Sequence, residues 1–420
     1  MSLTLTLTLL ALILVAALGR FFIRLPKNIW LLFLAQPLGM CSSSMVVFTG
    51  GLVGSKIAPS PDLATLPLTL MILGTAAAVI PASMLMKKFG RRIGTIIGLS
   101  IAIIGALLAM VAAIQSQFEL LIVGAVFLGF SMAFVAQMRF AAIESLTNFD
   151  DSAKAVSVLM VGGIFAAILG PEVAVVAKEW IDSPHGFAGS FLALAILIFI
   201  AIIFIAFLSP IGVAEKVSGQ QKRSLKEVVS QPIFIIAVCA GLIAYSVMSY
   251  VMTATPLSMH ELEGHSLHDT KWVIQSHIVA MYLPSLFSAI LIRYIGIAKL
   301  MIVGCVMYAL VVIVALAGKH VMHYWWALVL LGVGWNFLFT SGTLLLPEAY
   351  LPQERFKVQA INDFTIFFIQ ALASLSAGLI LFSHGWSTLI TIAVPMILIM
   401  FAVSIWYFLI LKRRPAIQAT

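Results

Sequence analysis

The chain has 420 residues, of which 62% are hydrophobic and 10% charged, with a formal net charge of +8. A soluble domain carries about 25% charged residues, so this chain has too little charge to solvate a globular surface of its size. Ordinary soluble folds are excluded. So is a nucleic-acid partner, because the basic residues fall in short clusters between apolar runs, the pattern that orients a membrane protein. The cysteines Cys41, Cys239 and Cys305 all lie inside apolar runs and read as small core residues, with no disulfide framework and no zinc set.

A membrane helix needs roughly 20 mostly apolar residues. That ruler predicts spans at residues 3–19, 29–57, 63–86, 94–115, 118–144, 153–178 and 187–209. After a polar stretch it predicts 233–259, 271–294, 298–317, 323–346, 356–383 and 386–411. The first run is no secretory signal: no basic residue precedes it, and Arg20, Arg24 and Lys27 follow it directly. It reads as a retained extra helix with the N-terminus outside. Alternating the later loops then leaves only Lys56, Lys178, Lys271 and Lys319 outside and Arg139 within a span, with every other Lys and Arg cytoplasmic. The tail ends inside. The expected organisation is an extra helix and basic stretch at 1–28, a six-helix half at 29–209, a cytoplasmic linker at 210–232, a second six-helix half at 233–411 and a tail at 412–420.

The two halves share a loop pattern. Between the second and third core spans runs Ser83-Met84-Leu85-Met86-Lys87-Lys88-Phe89-Gly90-Arg91-Arg92; between the eighth and ninth runs Ala289-Ile290-Leu291-Ile292-Arg293-Tyr294-Ile295-Gly296. Glycine there permits the tight turn that two nearly antiparallel helices need. In count, halves and loop the chain resembles the major facilitator superfamily, whose signature at this loop is Gly-x-Leu-x-Asp-Arg-x-Gly-Arg-Arg. Leu85, Lys88 (basic for basic), Gly90, Arg91 and Arg92 match, whereas Ser83 stands for Gly and Lys87 for Asp. The resemblance implies an all-α polytopic membrane protein, two six-helix halves with one extra N-terminal helix. Two exporter signatures of the family are incomplete. The start of the fourth core span has no Arg, and the fifth carries Ala166-x-x-x-Gly170-Pro171-x-x-Ala174 in place of Gly-x-x-x-Gly-Pro-x-x-Gly. The Gly-Pro reads either as a kink or close-packing site or as a surviving antiporter motif.

Ionisable residues within a membrane are costly and are functional candidates by default. Four qualify: Arg139, Glu172, His277 and Asp363. Arg139 and Asp363 lie roughly 12 Å and 10 Å to the cytoplasmic side of their helix centres, at 1.5 Å per residue, and are expected to pair as an inner gate. Glu172 and His277 lie roughly 10 Å and 8 Å to the outer side; with Asp363 they are the candidates for carrying a coupled proton. Gln359, Asp363, Gln370 and Ser374 fall on one helical face. Such a face must meet protein or a water-filled cavity. Gln275, Tyr282 and Ser285 share a stripe in the eighth core span, and Gln36 and Ser43 lie in the first. Tyr245 and Ser249 lie in the seventh, and Trp335, Asn336 and Phe339 in the tenth. The resemblance places core helices 1, 4, 7 and 10 around a central path. The candidate substrate set is Gln36, Ser43, Tyr245, Ser249, Gln275, Tyr282, Trp335, Asn336, Phe339 and Gln370, whose amides, hydroxyls and rings suit a small amphipathic organic solute.

The outer loop His260-Glu261-Leu262-Glu263-Gly264-His265-Ser266-Leu267-His268-Asp269 is one residue off His-Glu-x-x-His. It reads as a solvated loop, with metal capture or pH sensing as the alternative. No phosphate-cradling loop is present, so the energy source is expected to be an ion gradient. The resulting expectation is a secondary active transporter working by alternating access, coupled to protons because the buried candidates titrate. It needs no cofactor or metal, works as a monomer in a bacterial inner membrane, and takes up its solute. The alternatives are a proton antiporter exporting drugs or a secreted metabolite such as a siderophore, a membrane-embedded metal-dependent enzyme using the histidine loop, and a transport-dead receptor.

Overall fold

The computed structural model describes residues 3–46, 49, 51–60, 63, 66–211 and 223–413, and among them every long element is a helix. In order these are α1 (Leu3–Phe22), α2 (Lys27–Met45), α3 (Gly51–Ile57), α4 (Leu66–Gln115), α5 (Phe118–Ala136), α6 (Met138–Glu144), α7 (Ser152–Val176) and α8 (Ala188–Ala206). There follow α9 (Leu225–Val229), α10 (Pro232–Pro256), α11 (Leu267–Tyr282), α12 (Ser285–Ile295), α13 (Ile297–Ala317), α14 (Val321–Leu345) and α15 (Arg355–Arg413). In a medium without water, backbone groups must be satisfied inside the segment, and helices do that. Nine of the described helices are long and apolar enough to cross a membrane, or up to ten if α11 and α12, bent by 43°, form one span.

The difference from the thirteen apolar runs has a local cause. α4 and α15 each carry two runs, divided at a glycine whose backbone is not helical: Gly90 at φ 83°, ψ 166° and Gly385 at φ 78°, ψ 175°. Gly296, between α12 and α13, adopts φ 78°, ψ 163°. This region of conformational space is open essentially to glycine alone. The repeated loop pattern thus closes on the same backbone geometry in both places. The second apolar run divides between α2 and α3, with residues 47, 48 and 50 outside the described set.

Helices in lipid associate through close packing rather than through the hydrophobic effect, and glycines supply the proximity. A Cβ on Gly129 of α5 would sit 2.1 Å from the Met71 carbonyl oxygen of α4. Further along the same pair, Gly105 and Gly124 each leave room for the other's carbonyl, 2.8 Å from a built Cβ. In the second half, Gly332 of α14 lies against the backbone of α11 at His277 and Met281. The extra helix α1 buries Leu5, Thr8, Leu12 and Ala16 and leaves Leu3, Leu7, Leu10, Leu14 and Leu18 exposed. It docks with Gly19 against the Trp30 ring, 2.1 Å from a built Cβ.

The chain forms two compact units. One comprises Met1–Ser218 with Gln359–Phe367, the other Gly219–Val358 with Phe368–Thr420. Part of the expected linker (212–222) and of the expected tail (414–420) lies outside the described residues. Where the linker resumes, Ser224 and Glu227 form a capping box on α9. Arg223 grips both oxygens of Glu354, Nη2 to Oε2 at 2.6 Å and Nε to Oε1 at 3.1 Å, and donates to the Ala349 carbonyl at 3.2 Å. The Leu351 N–H also donates to Glu354, at 2.9 Å. This clamp fixes the chain just ahead of α15.

At Gly296 a Cβ would meet nothing within 4 Å, so Gly296→Ala should cost only the backbone strain, about 1–3 kcal/mol. Gly378, equally open but with no positive φ, is the control: Gly378→Ala should leave the melting temperature unchanged or slightly higher. Equal melting temperatures for the two variants would contradict the turn's role. The clamp gives a pH-dependent outcome. Hydrogen bonding from Arg223 holds the Glu354 carboxyl below its ordinary range. Its contribution is therefore complete above that range and is lost as pH falls through the lowered folded value. The melting temperature of wild type should exceed that of Glu354→Gln near neutral pH, and the gap should close on acidification. A gap constant with pH would refute the assignment.

Candidate functional site

A polar network lies within the first compact unit, built around two arginines. Arg91 follows the turn at Gly90 and is 1% exposed. Its Nε and Nη2 hold both oxygens of Glu144, at the end of α6, at 3.0 and 2.6 Å. Its Nη1 donates to Gln137 Oε1 at 2.7 Å and its Nη2 to Gln359 Oε1 at 2.5 Å. Gln137 occupies the junction between α5 and α6, and its Nε2 donates to Asp363 Oδ2 at 2.7 Å. Asp363 Oδ1 receives Arg139 Nη2 and, at 2.8 Å, Asn362 Nδ2. Two guanidinium groups thus meet two carboxylates, with amides filling the remaining lone pairs. That is the condition under which buried charge is tolerated, and removing one partner of such a pair costs about 3–5 kcal/mol. Gln137, Glu144 and Asn362 were not singled out from sequence. The signal was present for two of them, because Gln137 and Glu144 are seven apart and share a helix face.

Of the loop motif, Arg91 alone is seen to enter this network. Lys87, Lys88 and Arg92 are exposed; Lys88 Nζ lies 5.1 Å from the Phe89 ring centroid and Arg92 donates to the Leu208 carbonyl at 3.4 Å. Leu85 is half-buried. With Lys87 where the resemblance calls for Asp, the carboxylate for Arg91 comes from Glu144.

The second unit holds an aromatic cluster. Trp335 and Phe339, one helical turn apart on α14, stack with centroids 4.9 Å apart and planes at 19°. Tyr245 from α10 presents its edge to both, at 5.3 and 5.2 Å, and Tyr282 from α11 does the same to Trp335 at 5.6 Å. Trp335 is 1% exposed and its indole Nε1 has no hydrogen-bond partner, a condition that costs about 1–3 kcal/mol for a buried donor. Beside α10, Gln370 Nε2 donates to Ser249 Oγ at 2.9 Å, and Ser374 and Thr253 share a hydrogen bond at 3.0 Å. The polar face of α15 is therefore divided: Gln359 and Asp363 enter the charged network, whereas Gln370 and Ser374 meet α10.

Other candidates are placed differently. Asn336 bonds within the protein: its Nδ2 donates to the Met281 carbonyl and to Ser285 Oγ, both at 2.7 Å, while its Oδ1 accepts from Ser288 at 3.2 Å. It braces the bend between α11 and α12 at Leu283 and Pro284, and both its amide protons are committed there. Gln275 is exposed, Ser43 half-buried, and Gln36 buried with its Oε1 unpartnered. His277 is fully buried, and its Nδ1 donates to the Leu328 carbonyl at 2.8 Å. A carbonyl only accepts, so Nδ1 carries a proton, and Nε2 has no hydrogen-bond partner. Glu172 is half-buried on α7, just after Pro171.

Gly170 works as a close-packing residue: a Cβ there would sit 2.2 Å from Ser44 Oγ, which donates to the Ala166 carbonyl at 3.1 Å. In the histidine loop, His260 Nδ1 donates to the His265 carbonyl at 2.9 Å and His265 Nε2 to the Lys319 carbonyl at 2.7 Å. Lys319 pairs with Glu263 at 2.6 Å. The side chain of His268 lies outside the described residues. Among the described residues no group of three His, Cys, Asp or Glu could hold a metal ion.

Comparison with known proteins gives consistent results. The family model described as Major Facilitator Superfamily matches residues 32–346. The riboflavin transporter RfnT of Brucella anthropi is 38% identical over 376 residues, covering 88% of this chain and 93% of the relative. The uncharacterized MFS-type transporter YddS of Bacillus subtilis is 29% identical, covering 91% of each chain. Among solved structures, a bacterial homologue of the iron transporter ferroportin in an outward-facing state superposes with a TM-score of 0.69 at 15% identity, covering 91% of this chain and 99% of that one. The E. coli fucose:proton symporter FucP superposes at 0.68 with 16% identity, covering 90% and 98%.

Proposed function

The chain belongs to the Major Facilitator Superfamily and is an integral membrane transporter; from that premise we propose that it takes up riboflavin, or a flat amphipathic solute like it, by proton-coupled alternating access. The observation that carries the solute class is the aromatic cluster of Tyr245, Tyr282, Trp335 and Phe339. Stacked and edge-on rings favour a flat conjugated partner. The relative of 38% identity bears the name of a riboflavin transporter, which agrees with that chemistry. Ser249 and Gln370 supply polar contacts beside the rings. The working unit is a monomer in a bacterial inner membrane, N-terminus outside and C-terminus cytoplasmic. Uptake is favoured over export because the Gly170-Pro171 element reads as helix packing and the antiporter signatures are incomplete.

Arg139 and Asp363 serve as the inner gate. They pair while the solute path opens outward and part when it opens inward, with Gln137 and Arg91 exchanging partners as they do so. Proton coupling falls to Glu172, His277 and Asp363. His277 is fully buried with no partner on Nε2, and Glu172 is a half-buried carboxylate on α7.

Three outcomes test this reading. Reconstituted protein should accumulate riboflavin under an inward proton gradient and lose accumulation when a protonophore is added; no uptake under any gradient would reject the reading. Arg139→Asp and Asp363→Arg should each abolish transport, and the double reversal should restore part of it; a folded double variant no better than the singles would reject the gate. Glu172→Gln should lose gradient-driven accumulation while keeping counterflow exchange. Undiminished accumulation would move the coupled proton to Asp363.

A further inference from the structure

We infer that the indole N–H of Trp335 is the donor by which the site reads its solute, selecting a flat ring system with a carbonyl oxygen or ring nitrogen at its edge. The inference rests on the transport reading above and deepens it. Indole nitrogen is a donor only, so nothing but an acceptor can satisfy it. Its sequence neighbour Asn336 is already engaged, with both amide protons on Met281 and Ser285 and its oxygen on Ser288, whereas Thr340, Ser341 and Thr343 further along α14 lack partners as Trp335 does. The fold thus provides partners for the polar residue adjacent in sequence and none for Trp335. Trp335 differs from the other buried donors without partners, such as the indoles of Trp30 and Trp325, in lying inside the cluster of Tyr245, Tyr282 and Phe339, where an acceptor on a bound ligand would satisfy it. The stacked Phe339 ring and the edges of Tyr245 and Tyr282 fix the indole plane, which gives the N–H one direction. A flat solute packed against this cluster is the partner whose edge would meet that N–H. The fused rings of riboflavin carry both kinds of acceptor along one edge.

The test replaces the Trp335 indole by benzothiophene, which keeps ring size and shape and removes the N–H. The variant can be produced by nonsense suppression with 3-benzothienylalanine. Purified wild type and variant are titrated with riboflavin, and unliganded melting temperatures are measured alongside. The expected result is binding weakened about tenfold or more, with the unliganded melting temperature unchanged or raised, because the variant no longer buries an unpaired donor. Trp335→Phe, which also loses ring volume, should weaken binding at least as much. Equal affinity of wild type and the benzothiophene variant overturns the inference and leaves the transport reading standing. A lower unliganded melting temperature with unchanged affinity also overturns it, by making Trp335 a packing residue. If wild type binds no riboflavin, the flavin reading fails and the inference falls with it.

Discussion

Asp363 sits inside a long helix with 1% of its surface exposed, where an isolated carboxylate would be strongly unfavourable. Its immediate surroundings answer that problem with donors: Arg139 and Asn362 on one oxygen, Gln137 on the other. Those donors need their own partners, which brings in Arg91, Glu144 and Gln359. Burial of one charge therefore organises residues from α4, α6 and α15 and from the junction between α5 and α6. It also accounts for why Gln359–Phe367, part of the second half by sequence, belongs to the first compact unit. An interaction this demanding has two well-defined conditions, made or broken, and few between.

The glycines play two separate roles, and confusing them would misread the fold. Gly90, Gly296 and Gly385 are needed for their backbone angles, since a side chain pays strain there even where space is open. Gly105, Gly124, Gly129 and Gly332 are needed for proximity, since their angles are ordinary and their missing Cβ atoms make room for a neighbouring backbone. Gly170 is of the second kind. Its pairing with Ser44 gives the Gly-Pro element a packing role that its sequence context left open.

The aromatic and charged regions differ in how completely they are satisfied. Around Asp363 both carboxylate oxygens have donors, whereas among the rings of the second unit Trp335 keeps an N–H with no acceptor. Asn336 shows the contrast at one residue's distance, its amide protons committed to the bend that Pro284 introduces.

Composition and the spacing of apolar runs determined the class of protein, because a chain in lipid can satisfy its backbone only as helices and must make each run long enough to cross. The same reasoning marked Arg139 and Asp363, since a charge within an apolar run is conspicuous. Gln137 and Glu144 were harder to see. An amide or a carboxylate near a helix end is ordinary in one dimension, and only tertiary structure reveals that Arg91 meets both. Sequence likewise grouped Asn336 with Trp335 in the candidate substrate set, because both lie in the tenth core helix, which the resemblance places around the central path. Adjacent residues point about 100° apart, and the tertiary structure turned one toward the bend and the other into the rings. Depth along a helix can be counted from the sequence, but which neighbour a side chain meets is fixed by the packing of helices that are remote in the chain.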